Sequence, residues 1–168
     1  MKSNEVNSEY VIKEEKFHLS RESLPEFLEI ILSKRSSFRL KVRGGSMTPF
    51  IKDGDLVTLS AWKDSSVCFG KPVAFIHPET RTLCIHRIVG RKGEYYFAKG
   101  DSLTQIDGII HREKIIGVVT CIERDKRRVP LGLGPERSVI ALLSKFNILP
   151  FVLSFWRFIP PALRNLLL

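Results

Sequence analysis

Phe38-Arg39-Leu40-Lys41-Val42, followed by Gly44-Gly45-Ser46-Met47-Thr48-Pro49, is the stretch around which the rest of the chain is organised. From Phe38 apolar and polar residues alternate with a period of two, the pattern of a strand with one face buried. Two glycines follow; lacking a Cβ, they permit unusual backbone dihedrals and the close approach of another chain. Pro49 fixes its own φ and biases Thr48 towards extended geometry. A serine between these constraints is held in one direction at the end of a strand, as a nucleophile must be. A plain Gly-Gly turn that happens to contain serine would read the same.

Reading outward, strand-like runs are expected at 38–43, 46–51, 55–61, 72–77, 82–91, 94–98 and 114–123. Turn chemistry separates them: Asp53-Gly54, His77-Pro78, Lys92-Gly93, Gly100-Asp101 and Asp107-Gly108. Short strands with no helical pattern between them predict a mainly β fold, a barrel or folded sheet, over residues 38–124. Upstream, residues 1–19 read as a polar tail with Phe17 its main apolar feature. Ser23-Leu24-Pro25-Glu26 has capping-box spacing, and Leu24, Phe27, Leu28, Ile31 and Leu32 recur at helical intervals, so 24–35 is expected to be a short amphipathic helix, and 1–37 a polar tail with this helix. Downstream, 125–168 is a linker and a basic, apolar helical tail, with Pro130 to Pro135 as the linker and Val139, Ile140, Leu142, Leu143 and Phe146 as a helical stripe.

The net charge of +9 calls for an anionic partner: nucleic acid, lipid or an acidic peptide. Arg-Lys runs without interleaved aromatics are a weak nucleic-acid signature, and no nucleic acid is expected. Residues 146–168 combine apolar and aromatic side chains with sparse cations, the composition of an interfacial membrane segment. Pro150 and Pro160-Pro161 break that stretch, so it is not one membrane span. The expectation is membrane association through this tail, or a cytoplasmic protein if the tail packs on the domain. Cys68, Cys84 and Cys121 lie far apart and odd in number, which gives no disulfide framework.

Four side chains invite chemistry. His86 sits in Thr82-Leu83-Cys84-Ile85-His86-Arg87-Ile88-Val89, a run apolar on both faces and therefore central. Asp101 and Asp107 each adjoin a glycine in a turn. A serine hydroxyl needs a base, and an imidazole serves near neutral pH. The imidazole needs an acceptor to fix its tautomer. Ser46, His86 and one of the two aspartates would meet all three requirements. His77, Cys84 and His86 lack paired metal-ligand spacing, so neither a metal nor a cofactor is expected. The Gly-Gly segment has no lysine at a phosphate-loop offset.

Three segments together resemble the type I signal peptidase family. Gly45-Ser46-Met47-Thr48-Pro49 with Asp53-Gly54-Asp55 is similar to its nucleophile box. Pro72-Val73-Ala74-Phe75 through His86-Arg87-Ile88-Val89 resembles the second box. Tyr96-Phe97-Ala98-Lys99-Gly100-Asp101, Asp107 and Ile115-Ile116-Gly117-Val118-Val119 resemble the last. Where the usual bacterial branch carries lysine this chain has His86, as in the archaeal, endoplasmic-reticulum and spore-former branch. That resemblance implies Ser46 as nucleophile, His86 as general base, Asp107 as the residue that orients it and Asp101 as the second important acid. Gly44, Gly45, Met47 and Pro49 would flank the bound peptide. The branch usually has asparagine where this chain has Ser102. Gly44 replaces a hydroxyl that assists the oxyanion in some members, which leaves backbone N–H groups, that of Ser46 included, to hold it.

The function so implied is a serine endopeptidase that cleaves signal or leader peptides after small residues. The alternative is a peptide- or membrane-binding module that kept the fold while activity lapsed. A self-cleaving protein of the LexA type shares the Ser-Met box but predicts a lysine base and an Ala-Gly or Cys-Gly site, neither of which is present.

Overall fold

The computed structural model describes residues 8–12, 15–19, 28, 30, 32, 37–62, 67–149 and 151–152. The run Ile115-Ile116-Gly117-Val118-Val119-Thr120-Cys121-Ile122 forms most of the strand on which the sheet is built. In chain order the strands are β1 (Ser8–Ile12), β2 (Glu15–Leu19), β3 (Ser37–Lys41), β4 (Leu56–Ser60), β5 (Pro72–Ile76), β6 (Leu83–Lys92), β7 (Tyr95–Lys99), β8 (Ile109–His111), β9 (Ile115–Arg124) and β10 (Arg127–Arg128). They make one antiparallel sheet in the order β2-β1-β3-β4-β9-β5-β6-β7-β8, with β10 paired to β9. The path is open, and β9 is its hinge: one end pairs with β5 and the other with β4. A helix, α1 (Arg137–Lys145), follows the sheet, and Leu149, Phe151 and Val152 beyond it are again helical.

The sheet folds because its central strands are apolar on both faces. Val73 and Phe75 of β5, with Ile115 and Val118 of β9, enter one cluster with Ile88, Tyr96 and Ala98. Ala74, Ile116, Val119 and Ile122 enter the other, with Phe38, Leu40, Met47, Ile51, Val57 and Leu59. Bulges at Thr58/Leu59, Ala74/Phe75 and Ile88/Gly90 bend the strands between the two cores. The helical residues Leu28 and Leu32, four apart, are both buried in the second cluster while Ile30 is exposed, as the predicted amphipathic helix requires.

Three expectations are corrected. Residues 46–51 are not a strand but a compact turn, in which the Phe50 and Ile51 N–H groups donate back to the Met47 carbonyl, each at 3.1 Å. Residues 8–19 are not simply a polar tail: β1 and β2 pair as a hairpin with Tyr10 opposite Phe17, and β1 adds to β3. The short strands β8 and β10 had no separate signal. The C-terminal stripe is helical as expected, and α1 packs inward through Ile140 and Ala141. Residues 153–168, most of the expected interfacial tail, lie outside the described residues. Among the described residues no helix is long and apolar enough to cross a membrane.

Candidate active site

Ser46 stands in the turn that leaves β3, and that turn is pinned from every side. Gly44 has φ +95°, a left-handed conformation open to glycine, and its N–H donates to Asp53 Oδ1 at 2.8 Å. Met47, 3% exposed, buries its side chain in the core cluster below. Burial of a methionine is worth ~1.5–3 kcal/mol, enough to tether a loop. The Thr48-Pro49 peptide is cis. Asp55, buried at the far end of the turn, takes two hydrogen bonds from Arg124 of β9 at 2.9 and 2.8 Å.

The loop that follows β7 closes over the turn. The Ser102 N–H donates to the Ser46 carbonyl at 2.9 Å, and its hydroxyl donates to the Gly45 and Ser46 carbonyls, both at 2.9 Å. Gly100 passes so near that a Cβ there would lie 2.7 Å from the Ser46 carbonyl oxygen. Ser102, a departure from the resembled family, thus clasps the turn that carries Ser46.

His86 lies on β6 opposite Val73 of β5 and is 6% exposed. Its Nε2 is 2.8 Å from Ser46 Oγ, and its Nδ1 is 2.6 Å from Asp107 Oδ2. A carboxylate can only accept, so the imidazole proton belongs on Nδ1. Nε2 is then the acceptor, and the Ser46 hydroxyl donates to it. The sequence left open which aspartate faces the histidine. It is Asp107.

Asp101 turns the other way. Its carboxylate takes a paired fork from Arg87, Nε to Oδ1 at 2.8 Å and Nη2 to Oδ2 at 2.7 Å, with both side chains fully buried. Burial pushes the Asp101 carboxyl up, against the pull of the Arg87 guanidinium. Arg87 Nη1 donates to the carbonyls of Gly70 and Gly132 at 2.8 and 2.9 Å, so it joins β6 to the segment that leads into α1. Lys99 is also buried; it donates to the Ser144 carbonyl of α1, and burial lowers its ammonium. Phe50, within the Ser46 turn, packs with Ile140 and Leu149. Sequence reasoning passed over Arg87, yet a cation inside an apolar strand is itself a signal of a buried partner.

A groove of about 270 Å³ opens beside Ser46, lined by Leu40 to Gly44 on one wall and Thr82 to His86 on the other. Met47 and Ile51 contribute to it, whereas Gly45 and Pro49 do not line it. Strand β7 pairs with β6 only from Arg87 onward, and β1 pairs with β3 no further than Leu40. Among the described residues, each wall therefore offers backbone beyond the end of its paired ladder. Cys84 stands on the groove wall two residues from His86, its Sγ 3.8 Å from Thr82 Oγ1, and burial pushes its thiol up. Among the described residues no three His, Cys, Asp or Glu side chains form a group able to hold a metal ion.

The sequence profile of the Peptidase S24-like family matches residues 4–120, a span that takes in Ser46, His86, Asp101 and Asp107. Comparison with curated proteins and with solved structures finds no match.

Proposed function

The chain belongs to the Peptidase S24-like family, and from that premise we propose that it is a serine endopeptidase of signal-peptidase type that cleaves leader peptides after small residues. One observation carries the reading: Ser46 Oγ, His86 and Asp107 stand in a hydrogen-bonded line, 2.8 and 2.6 Å long, at the side of a groove walled by incompletely paired backbone.

An extended peptide laid in the groove gains main-chain hydrogen bonds from these walls, as in strand addition, and shallow pockets near Ser46 favour small side chains. His86 Nε2 takes the hydroxyl proton as Ser46 Oγ attacks the scissile carbonyl, and Asp107 stabilises the resulting imidazolium. The oxyanion is held by backbone N–H groups of the nucleophile turn, Ser46 included. His86 returns its proton to the leaving amine, and water, deprotonated in turn by His86, releases the acyl group. A lapsed module would have no use for so tight a Ser46–His86 contact.

The membrane partner is part of the same proposal. The outer face of α1 exposes Val139, Leu142 and Phe146, with Lys145 beside them, and a net charge of +9 favours an anionic surface.

The test is cleavage of leader peptides with small residues before the bond, by wild type, Ser46→Ala and His86→Ala, with and without anionic vesicles. Cleavage by wild type alone, with both variants folded, is expected, and vesicles should accelerate it. Wild type that binds such peptides but never cuts them would replace this reading with the binding module. Rates indifferent to vesicles would remove the membrane.

A further inference from the structure

We infer that His77 is a second histidine on the Asp107 carboxylate, a positioning residue that steadies the carboxylate through the oxygen His86 does not use. This rests on the Ser46–His86–Asp107 reading above. His77 directly follows β5, in a turn closed by two backbone bonds: its N–H donates to the Thr82 carbonyl at 2.9 Å, and its carbonyl accepts from the Arg81 N–H at 3.0 Å. Its ring is locked as well. Nδ1 accepts the backbone N–H groups of Glu79 and Thr80 at 3.2 and 3.3 Å. An imidazole nitrogen that accepts cannot carry the ring proton, so the proton of the neutral ring is on Nε2.

That Nε2 lies 3.9 Å from Asp107 Oδ1, while Oδ2 of the same carboxylate meets His86. The two imidazoles thus address different oxygens of one buried group. At 3.9 Å the contact is a charge–dipole interaction rather than a hydrogen bond. Phe75 supports both rings, with centroids 6.5 Å from His77 and 6.1 Å from His86. The turns themselves touch, since a Cβ at Gly108 would lie 3.7 Å from Pro78.

The physical need is plain. The terminal torsion of an aspartate is broad, so one hydrogen bond leaves the carboxylate free to rock about the axis of that bond. A dipole on its second oxygen narrows that motion and keeps Oδ2 aligned with His86 as the imidazolium forms. His77 touches no substrate; it acts through Asp107.

Two substitutions separate this role from turn formation. Asparagine at 77 can still accept a backbone N–H in an Asx turn but presents nothing to Asp107. Glutamine reaches further and returns an N–H donor. The imidazole ¹⁵N shifts of labelled protein, read without substrate, should place the His77 proton on Nε2 in wild type. His77→Asn should move the His86 Nδ1 shift and lower kcat about 10- to 100-fold with KM unchanged; His77→Gln should restore both. A His77 proton found on Nδ1 in wild type overturns the inference, and that measurement requires no variant. A His86 shift indifferent to His77→Asn, or Gln behaving as Asn, does the same. A wild type without peptidase activity would refute the proposed function and leave the nitrogen shifts to decide on His77.

Discussion

Asp107→Asn changes one atom at the centre of the candidate site, so its effect can be worked out in some detail. Asp107 Oδ2 accepts from His86 Nδ1 over 2.6 Å, in a setting where the carboxylate is 6% exposed. Asparagine has the same shape but one of its two ends donates. When the amide N–H₂ faces Nδ1, that nitrogen must be bare and the ring proton moves to Nε2. Nε2 is where the Ser46 proton has to go. The wrong tautomer typically costs ~10⁴ in rate, or about 5.4 kcal/mol of barrier. The fold should survive, since volume and turn are kept. Asp101→Asn offers the contrast, because it strands the fully buried Arg87 without its counter-charge. Breaking such a pair costs ~3–5 kcal/mol of stability, a fall of about 6–20 °C in Tm for a chain of this size. Single-turnover peptide cleavage and a thermal melt on each variant separate the two effects. Asp107→Asn within tenfold of wild type, or Asp101→Asn inactive with an unchanged Tm, would refute the assignment of roles.

Two further outcomes are expected. Gly100→Ala would set a methyl 2.7 Å from the Ser46 carbonyl oxygen and 2.8 Å from Leu103; the clasp on the nucleophile turn must retreat, and kcat should fall about 100-fold, a full-rate variant being the contrary result. At Glu136, burial raises the carboxyl but hydrogen bonds from the Glu136, Gly132 and Gly134 N–H groups outweigh it, so the group is held below its ordinary value. A depressed carboxyl contributes stability above the ordinary glutamate range, and that contribution is lost as pH falls through the lowered value. Amide exchange in α1 should therefore accelerate selectively once the pH falls below the ordinary glutamate range, and Glu136→Gln should abolish that pH dependence; identical profiles for both proteins would contradict it.

The strands were legible because alternation and turn residues act locally, within five or six residues of one another. The nucleophile turn misled for the same reason. Met47, Phe50 and Ile51 are all buried, as a strand's residues would be, but they reach the interior by winding back on the Met47 carbonyl. Charged residues around Tyr10 and Phe17 hid the β1–β2 hairpin, because they interrupt the apolar alternation by which a strand is read. Ser46, His86 and both aspartates stood out one at a time. Their partners did not, since the choice between Asp101 and Asp107 depends on where a loop after β7 returns to β6, a contact across 21 residues. The contacts of His77 and Ser102 to the site had no signal, because both residues are held in place by hydrogen bonds in turns, which leave no periodic trace.

The two aspartates are best understood as one charge arrangement. Arg87 follows His86 directly on β6, so its cation would oppose any positive charge gained by the imidazole. Asp101 binds that cation in a fully buried fork, which removes the opposition before the reaction begins. Asp107 is then left to the imidazoles, unshared with the Arg87 cation. The same guanidinium also holds the Gly132 carbonyl, and Phe50 stacks beneath it with its ring centroid 5.5 Å away. The segment leading to α1 is thereby fastened to the strand that carries His86. It follows that loosening the C-terminal segment should disturb the Arg87–Asp101 pair first and the serine turn, through Phe50, next. A truncation before Gly132 would accordingly behave like a mild Asp101 variant, less stable and slower, rather than like the loss of an appendage.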